Sequence, residues 1–138
     1  MNLKIYSAEQ TPDSKPTINL APVGFPSPAQ DYLEPTLDLN KFLIDNHNAT
    51  FFGRVKGFSL KESVVDDGDL LIIDKSLAYR NNALAVCFID GEFTLQRIKL
   101  KGEKLYLLPV NQEQQVTAVS DDETRIWGIV TYIIKKVY

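Results

Sequence analysis

Leu84-Ala85-Val86-Cys87-Phe88-Ile89-Asp90-Gly91-Glu92-Phe93-Thr94-Leu95 decides the fold of this 138-residue chain. Leu84–Ile89 is a continuous apolar run of strand length, the pattern of a strand buried on both faces. Asp90-Gly91 is the dipeptide of a tight hairpin turn, because both positions favour positive φ. Glu92–Leu95 then returns as the second arm. Working outward, Leu70-Leu71-Ile72-Ile73 is a second short apolar run, and Thr50–Lys56 reads as a strand with a close backbone approach at Gly53. Downstream, Lys101-Gly102 turns into Leu105-Tyr106-Leu107-Leu108, and Ile126–Ile134 is a long final strand. Short strands with turns at intervals of about 10 residues predict a mainly β body. One short helix precedes it, with Asp38 as N-cap and Leu39, Phe42 and Leu43 at helical spacing. Phe93 and Leu95 are odd-numbered whereas Ile98 and Leu100 are even. That change of face predicts a bulge, or a strand shared between two sheets, near Gln96-Arg97.

Six of the seven prolines (Pro12, Pro16, Pro22, Pro26, Pro28 and Pro35) precede residue 38. Each lacks an N–H and fixes φ, which excludes a long helix or an interior strand there. Residues 1–37 therefore read as an extended arm, with Ile18, Leu20, Val23 and Phe25 available as anchors, and 38–138 as the body. A net charge of −3 argues against general attraction to nucleic acid or anionic membrane. No apolar run approaches the roughly 20 residues that span a bilayer. The N-terminus has no charged-then-apolar leader, and the one cysteine, Cys87, allows no internal disulfide, so a reducing cytoplasm is expected. One histidine and scattered carboxylates give no metal-ligand spacing, and no cofactor is expected. Asp66-Asp67-Gly68-Asp69 reads as a turn, being too short for a calcium loop.

Gly57-Phe58-Ser59 follows the first body strand. A glycine that turns the chain sharply sets Ser59 where free backbone N–H groups can face an oxyanion. Most such turns are turns only. His47, the sole histidine, invites a Ser59–His47 triad oriented by Asp45 or Asp69. Asp45-Asn46-His47-Asn48 reads instead as the polar loop after the helix.

Gly24-Phe25-Pro26-Ser27-Pro28-Ala29-Gln30-Asp31-Tyr32 resembles the segment just after the self-cleavage point of UmuD-like proteins, the mutagenesis-regulating branch of the LexA-type serine peptidases. Gly57-x-Ser59-Leu60, Val65–Asp74, Asp90–Leu95, Leu108–Asn111 and Trp127–Val130 follow in that family's order, and the resemblance covers about residues 23–135. Residues 1–22 carry no recognisable counterpart in the sequence read by itself. The resemblance implies the LexA/UmuD mainly β peptidase body, with Ser59 as nucleophile and Val23-Gly24 as the bond cut. It also implies a homodimer that meets a RecA–single-stranded-DNA filament and a UmuC-type Y-family DNA polymerase in translesion synthesis after DNA damage. The family's general base is a buried lysine, and the position that answers to it is Gln96. A carboxamide does not accept a proton at neutral pH. Arg97 stays protonated and points to the opposite face. Lys99 and Lys61 are more distant candidates. Val23 is also β-branched where the family carries a small residue. The expectation is a scaffold with impaired self-cleavage, or a non-catalytic dimeric interaction module in which a Ser59–Gln96 hydrogen bond is structural. A repressor role is not expected, since 23 proline-bearing residues before Gly24 hold no helix-turn-helix.

Overall fold

The computed structural model describes residues 2–8, 17–18, 36–57, 64–110, 117–119 and 125–138. Ten strands occur among them: β1 Asn2–Ser7, β2 Thr17–Ile18, β3 Leu37–Asp38, β4 Thr50–Lys56, β5 Leu70–Asp74, β6 Leu84–Ile89, β7 Glu92–Lys101, β8 Lys104–Pro109, β9 Thr117–Val119 and β10 Ile126–Ile134. Eight form one antiparallel sheet in the order β1-β4-β5-β10-β6-β7-β8-β9, and β2 pairs separately with β3. The mainly β body read from the sequence is the body observed. The one α-helix among the described residues, α1, spans Leu39–Leu43, and Asp38 caps it by accepting from the N–H groups of Asn40 and Lys41. A 3-10 turn at His47–Ala49 leads into β4.

The β6–β7 hairpin closes on Asp90-Gly91, with φ of 51° and 79°, so that Ile89 faces Glu92 directly. Those paired positive values are the turn whose twist matches the two strands. Both faces of β6 are buried. Leu84 and Val86 join a cluster with Val55, Val65, Leu71, Ile73 and Leu95, while Ala85 and Cys87 join a second with Ile98, Leu105, Leu107 and Ile129.

These two clusters correct one expectation. β7 runs without a bulge from Glu92 to Lys101, in unbroken register with β6 and then with β8. Its apolar positions change parity because Leu95 faces the first cluster and Ile98 the second. A strand covered on both faces can switch parity with no backbone irregularity. The irregularities lie in β10 instead. Its register shifts between Ile126 and Gly128 against β6, and between Val130 and Tyr132 against β5. Gly128 sits where a Cβ would stand 2.5 Å from Ile73 Cγ2, so only glycine lets β10 lie this close to β5.

Of the arm read from the prolines, Asn2–Ser7 is an edge strand of the body's sheet, in register with β4 from Asn2↔Lys56 to Ser7↔Phe51. Leu3 and Ile5 pack on the first cluster. Leu20, Val23 and Phe25 lie outside the described residues.

Candidate functional site

Gln96 lies in the middle of β7, between Ala85 of β6 and Pro109 of β8. Strand alternation places it on the same face as Thr94 and Ile98. It is 3 % exposed, one of a small set of buried polar side chains that includes Asp69 and Asp74. A polar group so buried must be hydrogen-bonded to be tolerated. Its Nε2 donates to the Thr94 hydroxyl at 3.1 Å. The seat is thus dry and supplied with an acceptor two residues back on the same face. An amine there would lose most of its hydration, which lowers its pKa, and a neutral amine is what a serine needs to lose its proton. The carboxamide offers no such lone pair.

Ser59 lies outside the described residues, as do Val23, Gly24 and Lys61. The structure does describe the base of the segment that carries Ser59. Gly57, at φ 70°, makes the sharp turn its sequence implies. Its N–H donates to the Asp67 carboxylate at 2.7 Å. Val55 N–H donates to Asp69 O at 2.9 Å and Gly68 N–H to Val55 O at 2.8 Å, so residues 55–57 and 66–69 are laced together. Asp69 is buried, accepts from Asp66 N–H at 2.8 Å, and receives the Lys135 ammonium together with Asp66, the latter at 2.8 Å. The hydrogen bonds Lys135 donates to these carboxylates hold its pKa above the ordinary lysine value. The Asp66–Asp69 stretch is therefore a turn, as its sequence indicates, and it is tied to the end of β10.

Val64, just beyond the undescribed stretch with Ser59, and Arg97, next to Gln96, line one cleft of ≈ 400 Å³ with Leu84 and residues 130–133. Arg97 is on the opposite face of β7 from Gln96, as expected, and donates from Nη1 to Asn82 O at 2.9 Å. Lys99, on Arg97's face, donates to the Asn82 side chain. Neither cation faces the Gln96 seat.

Of the Ser59–His47 pair, the described residues include His47 and not Ser59. Among the described residues no group hydrogen-bonds the buried Nδ1 of His47, so neither Asp45 nor Asp69 orients the ring through that atom. Asp69 is committed to Asp66 and Lys135. A histidine base without an orienting partner lacks the arrangement that gives such triads their tautomer.

Sequence reasoning did not pick out Thr94, and it read Lys135-Lys136 only as a small basic tail, not as a partner of Asp66 and Asp69. The i, i+2 spacing of Thr94 and Gln96 on a strand was the available signal for the first. Lys135 lies 66 residues from Asp69, and no local pattern connects them.

A family model described as Peptidase S24-like matches residues 16–131. The chain is similar to a protein named SamA of Salmonella typhimurium, 42 % identical over 115 residues, covering 83 % of this chain and 80 % of that one. It is 38 % identical to a protein named ImpA of Escherichia coli over 113 residues, 82 % of this chain and 77 % of the relative. A protein named MucA of Escherichia coli is 37 % identical over 111 residues, 79 % and 75 % of the two chains.

Proposed function

The chain belongs to the Peptidase S24-like family, and on that premise we propose that it is a UmuD-like accessory protein of SOS mutagenesis whose self-cleavage is disabled at the general base. The relatives SamA, ImpA and MucA, similar over most of this chain, support the mutagenesis role. One observation carries the disabled step: the buried position 96 holds an amide bonded to Thr94. In the proposal Ser59 is the nucleophile and Val23-Gly24 the bond it would attack. Proton transfer from the Ser59 hydroxyl fails because Gln96 cannot take the proton. The uncut chain then acts as a dimeric platform for a Y-family polymerase in the bacterial cytoplasm. No helix among the described residues is long and apolar enough to cross a membrane.

The test is incubation with RecA–single-stranded-DNA filaments, followed by denaturing electrophoresis. The unmodified chain is expected to stay full length, Gln96→Lys to be cut before Gly24, and Gln96→Lys with Ser59→Ala to stay whole. Efficient cutting of the unmodified chain that Ser59→Ala abolishes would show another base at work.

A further inference from the structure

From the β1–β4 contact we infer that the body carries a strand-binding slot for which residues 2–7 are the ligand, so that a break in the chain between Ala8 and Leu37 leaves a two-piece complex and not a released arm. The slot has features of a specific site. Six consecutive positions of β1 are in register with β4, from Asn2↔Lys56 to Ser7↔Phe51. Ala8 is buried and extends the pairing, its N–H donating to Thr50 O at 3.1 Å. Leu3 and Ile5 alternate inward onto the first core cluster, opposite Val55 and Gly53.

Gly53 lies where Ile5 of β1 and Ile73 of β5 meet the β4 backbone. A Cβ there would stand 3.4 Å from Ile5 Cδ1 and 3.0 Å from Ile73 Cδ1. The tight neighbour is Ile73 of β5, and Ile5 of β1 packs against the same bare backbone at ordinary contact distance. A one-residue slip would turn Leu3 and Ile5 to solvent, so the register is fixed by burial. On the outward face Lys4 stands opposite Arg54 and beside Lys56. Contact with Lys4, by hydrogen bond and by charge, lowers the pKa of Lys56, with Arg54 adding to the effect and Asp67 opposing it. The slot thus holds its strand by apolar fit and backbone pairing against like-charge repulsion, which salt relieves.

The consequence for the chain is a second step after scission. The β4 edge becomes free only when β1 dissociates, whatever agent breaks the chain. This does not depend on Ser59 or on Gln96.

The test inserts the recognition sequence of a site-specific endoprotease between Gln10 and Thr11 of the full chain. The intact protein is cut to completion and run on a native sizing column at micromolar concentration. The N-terminal fragment is expected to co-elute one-to-one with the body, to be lost only slowly on dilution, and to separate at once in denaturant. Lys4→Glu is expected to slow its loss and to reverse the salt dependence. A fluorescent synthetic peptide of residues 1–10 is expected to exchange into the nicked protein. The same peptide with Ile5→Asp is expected to compete on the order of tenfold or more weakly. This comparison leaves the body unaltered, so misfolding cannot mimic it. Elution of the fragment apart from the body, or equal competition by the two peptides, overturns the inference.

Discussion

Replacing Gln96 by lysine tests the dry seat and the chemistry together. The side chain at this position is 3 % exposed, between Ala85 and Pro109, and the Thr94 hydroxyl is 3.1 Å from its amide nitrogen. A lysine held neutral here at pH 7 forgoes about 3.4 pH units of proton affinity, or about 4.6 kcal/mol at 1.36 kcal/mol per unit. That is the ceiling on the electrostatic cost. An amine can still donate to Thr94, and the seat relaxes around a charge, so a loss of roughly 2–4 kcal/mol at pH 7 is expected. For a chain of this length that is roughly 3–5 °C of melting temperature per kcal/mol. The sign with pH is definite. Unfolded lysine keeps its proton up to about pH 10.4, whereas the folded, desolvated amine releases it lower, so the unfolded state binds more protons. Stability of Gln96→Lys relative to the unmodified chain therefore rises with pH, by up to about 1.4 kcal/mol per unit, until about pH 10.4. Thermal unfolding followed by the emission of Trp127 between pH 6 and 10 measures it, with denaturing electrophoresis of the same samples to detect a cut. A variant whose stability relative to the unmodified chain is the same at pH 6 and 10 would place the lysine in water and refute the reasoning.

Two further outcomes follow from named groups. Burial pushes the Cys87 thiol up to about 12, from an ordinary 9.0, so the native protein is expected to resist a thiol reagent at pH 8 and to react on unfolding. The unfolded thiol ionises first, so this group's contribution is intact below about pH 9 and declines by up to about 1.4 kcal/mol per pH unit above it; native labelling at pH 8 as fast as denatured labelling would contradict the burial. Lys135→Met leaves the buried Asp69 carboxylate without its cation and is expected to cost roughly 1–2 kcal/mol, discounted for the partial exposure of Lys135. Hydrogen exchange should quicken at Gly57 and Gly68, where the serine segment is laced to its turn; unchanged exchange there would show that Lys135 does not brace it.

Local signals carried most of the fold. Asp90-Gly91 announced the β6–β7 hairpin to the residue, and the apolar runs at Leu70–Ile73 and Leu84–Ile89 became β5 and β6. Asp38 capped α1 as its chemistry requires. β1 was harder to read, although Leu3 and Ile5 alternate with Lys4 and Tyr6. Its partner β4 begins more than 40 residues later, and the prolines between them describe a connection without saying where it ends. The parity change in β7 misled for a related reason. Alternation marks one buried face, and β7 has two. Position 96 was singled out from the residues flanking it, while its buried environment depended on pairing with β6 and β8 that no single segment specifies. The Lys135 brace joins sequence positions too far apart for any local pattern to suggest.

The account turns on whether an amide at position 96 leaves the Ser59 hydroxyl with nowhere to send its proton. Intact mass measured under denaturing conditions, after prolonged incubation with RecA filaments, tests this most directly, because a retained β1 would hide a cut from any native sizing method. The full-length mass is the result the account requires. Accumulation of a species beginning at Gly24, absent when Ser59 is alanine, would contradict it.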